Sequence, residues 1–186
     1  ELNRMGTLSY QALNFSNDYF FEGNVKNTEQ VRQRETVIND LEKKISDYLT
    51  SISTGTFSEA ESSRHTELMQ TINDIERVGD HATNIVELGD YKKRHKISLS
   101  EQATTELKQM YDLTSDTFKT ALEALKTSDK QLAQKVLANE EQIDKLERQL
   151  RKSHIGRLNE RLCSGSAGVV FLDYISNMER IGDHAV

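Results

Sequence analysis

Glu76-Arg77-Val78-Gly79-Asp80-His81-Ala82 returns 103 residues later as Glu179-Arg180-Ile181-Gly182-Asp183-His184-Ala185. Six of the seven positions are identical, and the seventh exchanges one β-branched residue for another. An internal repeat of this kind decides the fold before any single element does. Each copy follows an apolar run at helical spacing: Leu68, Ile72 and Ile75 in the first, Phe171, Tyr174 and Met178 in the second. Residues four apart are neighbours on one helix face, so Glu76 with Asp80, and Glu179 with Asp183, form adjacent carboxylate pairs. Their repulsion destabilises an isolated helix by a few tenths of a kcal/mol, roughly, and a cation would remove it. Gly79 and Gly182 fall in mid-helix, where glycine costs about 1 kcal/mol against alanine. A missing side chain there admits a second helix or leaves room for a ligand. One Glu-x-x-x-Asp pair alone is better explained as two boundary acids bound to Arg77 or Arg180 than as a metal site. Two copies, with glycine, arginine and histidine in the same places, point to a metal.

The 186 residues suit one domain or two small ones. Charged residues make up 29% and hydrophobic ones 35%, and no run of about 18 apolar residues occurs. A soluble chain without membrane span or signal peptide is expected. The net charge of −6 argues against a nucleic-acid partner. Cys163 stands alone, so no internal disulfide forms, as suits a reducing compartment. The absence of proline lets long helices run unbroken. Glu1 opens directly into a periodic helix and Val186 falls inside the second motif, so the chain reads as a piece of a longer helical protein.

Six helices are expected. The first runs from about Leu2 to Phe21 and ends at Gly23-Asn24. The second runs from about Thr28 to Ser53, with Val31, Ile38, Leu41, Ile45, Tyr48 and Ile52 on one stripe and Gly55 closing it. The third opens at the capping box Ser58-x-x-Glu61 and ends between Gly89 and His95. The basic segment from Tyr91 to Lys96 joins two halves, 1–97 and 98–186. The fourth helix is expected from Ser98-x-x-Glu101, and the fifth from Ser128-x-x-Gln131 towards Cys163. The sixth starts near Ala167, after the turn Ser164-Gly165-Ser166. No stretch alternates as a strand would. Short joints make consecutive helices antiparallel neighbours.

The repeat extends beyond the motif. Glu1 to Met5 aligns with Glu106 to Met110, and Glu35 to Glu42 with Glu140 to Glu147, both 105 residues apart. The fold class is therefore all-α, two tandem antiparallel three-helix bundles. The alignment exposes a second acid pair, Glu140 and Asp144, whose counterparts are Glu35 and Asn39.

Two three-helix units, each with Glu-Arg-x-Gly-Asp-His-Ala on its last helix, resemble the PhoU family over nearly the whole chain. The resemblance implies a regulator of phosphate uptake rather than an enzyme. It implies acid pairs that hold multinuclear metal clusters on the bundle surface, with iron the usual metal and zinc, manganese and magnesium as further candidates. Carried over by position, the second-half site is Glu179 and Asp183 with Glu140 and Asp144 opposite. The first-half site is Glu76 and Asp80 with Glu35 and Asn39 opposite. Asn39 replaces a carboxylate by a neutral amide, which ligates a hard cation without neutralising charge, so the first site is the weaker. PhoU-like modules also form the cytoplasmic tails of sodium–phosphate cotransporters. The expected partner is therefore the membrane domain of a phosphate transporter, in cis or in trans, with a homo-oligomer as a further arrangement. The expected location is the cytoplasmic face of the plasma (inner) membrane.

Other residues point less sharply. His81 and His184 lie about 100° round the helix from the neighbouring aspartate, which suits a supporting or solvent-facing role better than ligation. No histidine has a glutamate three residues before it, so the Glu-x-x-His pattern of ferritin-type di-iron enzymes is missing. His65, His95 and His154 are expected at the surface. Arg148, Arg151, Lys152, Arg157 and Arg161 make the fifth helix locally basic: a solvated face, or a docking patch for an acidic partner or a lipid surface. No Gly-rich phosphate loop and no nucleophile–base pair is present. A scaffolding bundle with solvated acid pairs is the alternative to a metal-binding regulator.

Overall fold

The computed structural model describes residues 1–53 and 57–186. These form α1 (Leu2–Glu22), α2 (Lys26–Ile52), α3 (Glu59–Arg94), α4 (Glu101–Thr127), α5 (Lys130–Asn159) and α6 (Gly165–Asp183), with no strand among the described residues. None of these helices is long and apolar enough to cross a membrane. The first three pack on one another, as do the last three, and α1 with α4 and α3 with α6 join the two sets.

The helix ends follow local chemistry. Gly23 terminates α1 in the left-handed region at φ 73°, its N–H donating to the Tyr19 carbonyl. Ser58 and Glu61 form the reciprocal capping box at the start of α3. Two starts differ from the sequence expectation. Ser100, not Ser98, caps α4, its hydroxyl accepting from the Ala103 N–H. Asp129, not Ser128, caps α5, accepting from the Gln131 and Leu132 N–H groups, while Ser128 takes the left-handed conformation that ends α4. A carboxylate at the N-cap also meets the positive end of the helix dipole, which favours Asp129 in that place. α5 stops at Asn159, short of Cys163, and Ser164 caps α6 at Ala167. Gly55, expected to close α2, lies outside the described residues. Tyr48 and Ile52, expected on the buried stripe of α2, are 64% and 45% exposed, while Leu49, about 100° round the helix from Tyr48, is buried in that turn.

One apolar core runs through both sets of helices. Leu13, Phe20, Val78 and Ile85 meet Phe118, Tyr174, Met178 and Ile181 in it. At its centre the Phe20 and Tyr174 rings lie 4.6 Å apart, and the Tyr174 hydroxyl donates to the side-chain oxygen of Asn17 at 2.6 Å. Each such buried ring contributes roughly 1.5–3 kcal/mol. A second cluster, Met5, Ile38, Leu41, Ile72 and Ile75, lies in the first half, with Leu122 and Leu125 of α4 packed against it.

The motif glycines set the helix spacing that matters for function. A Cβ on Gly79 would stand 3.2 Å from Ile38 Cδ1, and one on Gly182 would stand 3.0 Å from Ile143 Cδ1. The bare positions let α2 close on α3, and α5 on α6. The acids flanking those contacts are thereby brought face to face.

Candidate metal centre

In the second half, α5 presents Glu140 and Asp144 one turn apart, and α6 presents Asp183. One carboxylate oxygen from each lies within 4.8 Å of the others, and among the described residues this is the group of acids and histidines that comes so close. Glu140 and Asp144 are half-buried and Asp183 is exposed. Burial, then the charges of Asp144, Asp183 and Glu141, push the Glu140 carboxyl above its usual range, with Arg148 opposing. Glu179 is raised in the same way, by burial first and then by Asp183, Glu147 and Asp144, with Arg180 opposing. Arg148 reaches Asp144 at 3.2 Å from the solvent side. The structure thus brings three of the four expected acids together, with the fourth, Glu179, within reach of their charge but outside the tight group.

In the first half, Glu76 is raised by burial and then by Asp80, Glu42 and Glu35, with Arg77 opposing. Asp80 is exposed and Asn39 lies on the exposed side of α2. The acids here gather less closely, as the neutral Asn39 at the place of Asp144 requires.

Two acids were not singled out by the sequence reading. Glu42 and Glu147 stand seven residues after Glu35 and Glu140, on the same helix face, and each lends its charge to the motif glutamate opposite. The signal was present: the aligned segments Glu35–Glu42 and Glu140–Glu147 end on these two residues. Glu147 is paired to Arg151, which also donates to Ser176 Oγ at 2.8 Å.

The motif histidines do something other than face the acids. His81 is buried, with Nδ1 2.9 Å from Asn177 Oδ1 on α6. His184 Nδ1 lies 3.0 Å from Asp74 Oδ1 on α3. The two rings stack with centroids 5.7 Å apart. Asp74 and Asn177 are themselves 103 residues apart, so the contact is reciprocal about an internal two-fold relation. Burial, the dominant cause, holds His81 below the ordinary histidine range. His154, expected at the surface, is 2% exposed and stacks on Phe171 at 5.4 Å. Arg157, expected on a solvated basic face, is buried too, and pairs with Glu106 at 2.6 Å. Both point inwards because α5 turns one face to the starts of α4 and α6.

Hard divalent and trivalent cations favour clustered carboxylate oxygens, and the three-acid group fits that preference. It holds no thiolate and no imidazole, so it lacks the ligands of a structural zinc site.

The PhoU domain family matches residues 2–89 and 107–186. Among curated relatives, a phosphate-specific transport system accessory protein, PhoU homolog 1, from Thermotoga maritima is 30% identical over 118 residues, covering 63% of this chain and 50% of the relative. An uncharacterized protein from Deinococcus radiodurans is 27% identical over 161 residues, covering 86% of this chain and 57% of the relative. The chain thus spans about half the length of the curated relatives it matches. Of solved structures, PhoU from Pseudomonas aeruginosa superposes with a TM-score of 0.90 at 22% identity, over 99% of this chain and 88% of that one. A phosphate transport system regulatory protein PhoU from Streptococcus pneumoniae gives 0.84 at 21% identity, over 99% of this chain and 86% of that one. Both report the same fold. With most of the chain matched and the repeated motif at the head of its acid groups, the chain belongs to the PhoU domain family.

Proposed function

We propose that this chain is a metal-binding regulatory module of phosphate transport and not an enzyme. Family membership and the name of the Thermotoga maritima relative, a phosphate-specific transport system accessory protein, support the phosphate connection. The observation that carries the metal reading is the meeting of Glu140, Asp144 and Asp183 from two helices, with Glu140 and Glu179 raised by burial first and by the neighbouring acids second. These residues would hold hard cations, iron first among them, with Glu179 and Glu147 beside the group. Glu76, Asp80, Glu35 and Asn39, with Glu42, would make the weaker first-half site. A bound cation there would neutralise the facing carboxylates and clamp α5 to α6. The module would act at the cytoplasmic face on a transporter's membrane domain, either as the tail of a sodium–phosphate symporter or as a separate chain. Residues 1–97 and 98–186 would be its two repeats.

Elemental analysis of the purified protein tests the metal. Glu179→Ala with Asp183→Ala is expected to lower metal content more than Glu76→Ala with Asp80→Ala. Wild-type metal content in both double variants would end the metal reading, and the reverse order would overturn the ranking of the sites. Phosphate uptake unchanged by deletion of the module would end the regulatory reading. The second reading, a scaffold with solvated acids, draws on the Arg148–Asp144 pair, which already supplies one acid with a counter-charge. It predicts no metal in the wild type.

A further inference from the structure

At the far end of α6 from the acid group, about 24 Å away by helical rise, a pocket of 130 Å³ opens between α4, α5 and α6. Ser100 and Ser164, the N-caps of α4 and α6, both line it, so two helix N-termini converge there. Each carries a partial positive charge and N–H groups without intrahelical acceptors. Helix ends alone would not make a site. The second observation is Arg157, which lines the same pocket and is 5% exposed. Its Nη1 donates to Glu106 Oε2 at 2.6 Å and to Ser153 Oγ at 2.9 Å, and its guanidinium lies 4.8 Å over the Phe171 ring. Its Nη2 is buried with no hydrogen-bond partner among the described residues. An orphaned buried guanidinium donor is rare and costly to leave unmet.

Charge balance identifies what is missing. Glu106 cancels Arg157. His154, the other buried titratable group on the pocket wall, is held towards its neutral form by burial first and by Arg157 second, with Glu106 opposing. Cys163 lies 3.9 Å from His154 Nδ1. What remains is the positive end of two helices, α4 already carrying Glu101 in its first turn, and one unmet donor on a side chain that lines a space sized for a small ion. Water can answer the donor and the serine-capped helix ends, but brings no charge to oppose the converging dipoles. An oxyanion answers both, since a guanidinium and helix N-termini are the usual partners of tetrahedral anions.

The polar set is not a demand of the fold. At the 105-residue offset, His154 and Arg157 correspond to Leu49 and Ile52 in the first half. The same helix face is therefore built there from hydrocarbon. In addition, Gly168 makes the room for His154: a Cβ at that position would stand 2.7 Å from the imidazole.

The geometry points to a binding site for a small tetrahedral oxyanion, of the inorganic phosphate or sulfate class, held by Arg157 Nη2 and the first turns of α4 and α6. It does not rest on the metal reading. The test is thermal unfolding and calorimetric titration of the whole chain with inorganic phosphate. Chelator is present throughout, and ionic strength is held constant with chloride. A saturable rise in Tm is expected, reaching several degrees once phosphate exceeds its Kd a hundredfold. Ser100→Asp and Ser164→Asp keep good N-caps but place a carboxylate at the rim, so the fold survives. Each is expected to weaken phosphate at least tenfold, while Asp47→Asn on α2, a helix that packs on none of α4, α5 and α6, leaves the response intact. An equal response to sulfate supports an oxyanion site of broad selectivity, and a response to phosphate alone supports a phosphate site. No saturable response to either ion, or a response that both aspartate variants retain, overturns the proposal.

Discussion

Asp183→Asn is expected to stabilise the metal-free protein and to remove its stabilisation by metal. The magnitude follows from the acid group. Two unit charges 4.8 Å apart repel by about 0.9 kcal/mol at the dielectric constant of water. Asp183 takes part in two such pairs, with Glu140 and Asp144, so removing its charge relieves about 2 kcal/mol before screening. Arg148 at Asp144 and dissolved salt reduce that to roughly 1 kcal/mol. For a chain of this size that is about 2–4 °C in Tm. The pH dependence has a definite sign. Glu140 and Glu179 are raised in the folded state, so their contribution to stability is fully present below the ordinary glutamate pKa. It is lost as pH rises through their folded values. In chelator, the variant should therefore melt like wild type below about pH 4 and above it at pH 7. With manganese or ferrous ion at pH 7 the order should invert, because only the wild type gains by binding. Thermal melts of both proteins, with and without chelator, at pH 4 and pH 7, decide it. A lower Tm for the variant in chelator at pH 7, or an equal metal-induced rise in both proteins, would refute the reasoning.

Gly182→Ala gains about 1 kcal/mol of helix propensity but drives a Cβ against Ile143 Cδ1 at 3.0 Å and Cγ2 at 3.2 Å. Net destabilisation is expected by denaturant unfolding, and a smaller loss or none for Gly79→Ala, where only the mobile Cδ1 of Ile38 is tight. Glu106→Ala leaves the buried Arg157 unpaired and should cost about 3 kcal/mol or more; a change in Tm under 2 °C would mean that Arg157 is hydrated. His81 is depressed in the folded state, so its contribution to stability is present above the ordinary histidine pKa and lost as pH falls through the folded value. Asn177→Asp gives that histidine a charged partner, which raises its folded pKa towards the ordinary value and should shrink the loss seen in melts between pH 5 and 7; an unchanged loss contradicts it.

How much of this was legible depends on the length of the signal. Helix content, the pairing of the two halves and the acids of the second half all follow from periodicity and a near-identical repeat, which act over many residues. Caps depend on a single side chain choosing between neighbours, and Ser98 against Ser100, or Ser128 against Asp129, offers the same pattern one or two positions apart. The burial of His154 and Arg157 could not be read from α5 alone. They sit on a face that is polar by composition, and it is covered only because α4 and α6 both begin against it. Glu42 and Glu147 stand seven residues from Glu35 and Glu140, one turn beyond the four-residue spacing that marks a carboxylate pair.

The repeated heptapeptide serves two interfaces from one helix. At about 100° per residue, its glutamate and aspartate share one side, and the glycine lies about 60° to the other side of the glutamate. The glycine lets α2 or α5 close in, which is what brings opposing acids into range. The histidine stands about 100° beyond the aspartate, away from that contact, where it meets the other repeat's helix through Asn177 or Asp74. Either function alone would tolerate drift in the residues serving the other. Joining both in seven residues means that a shift of α5 on α6 also moves the helix carrying His184, and hence the ring stacked on His81 one residue from Asp80. The paired imidazoles are thus the point at which the two motif copies meet, one residue from Asp80 on one side and from Asp183 on the other.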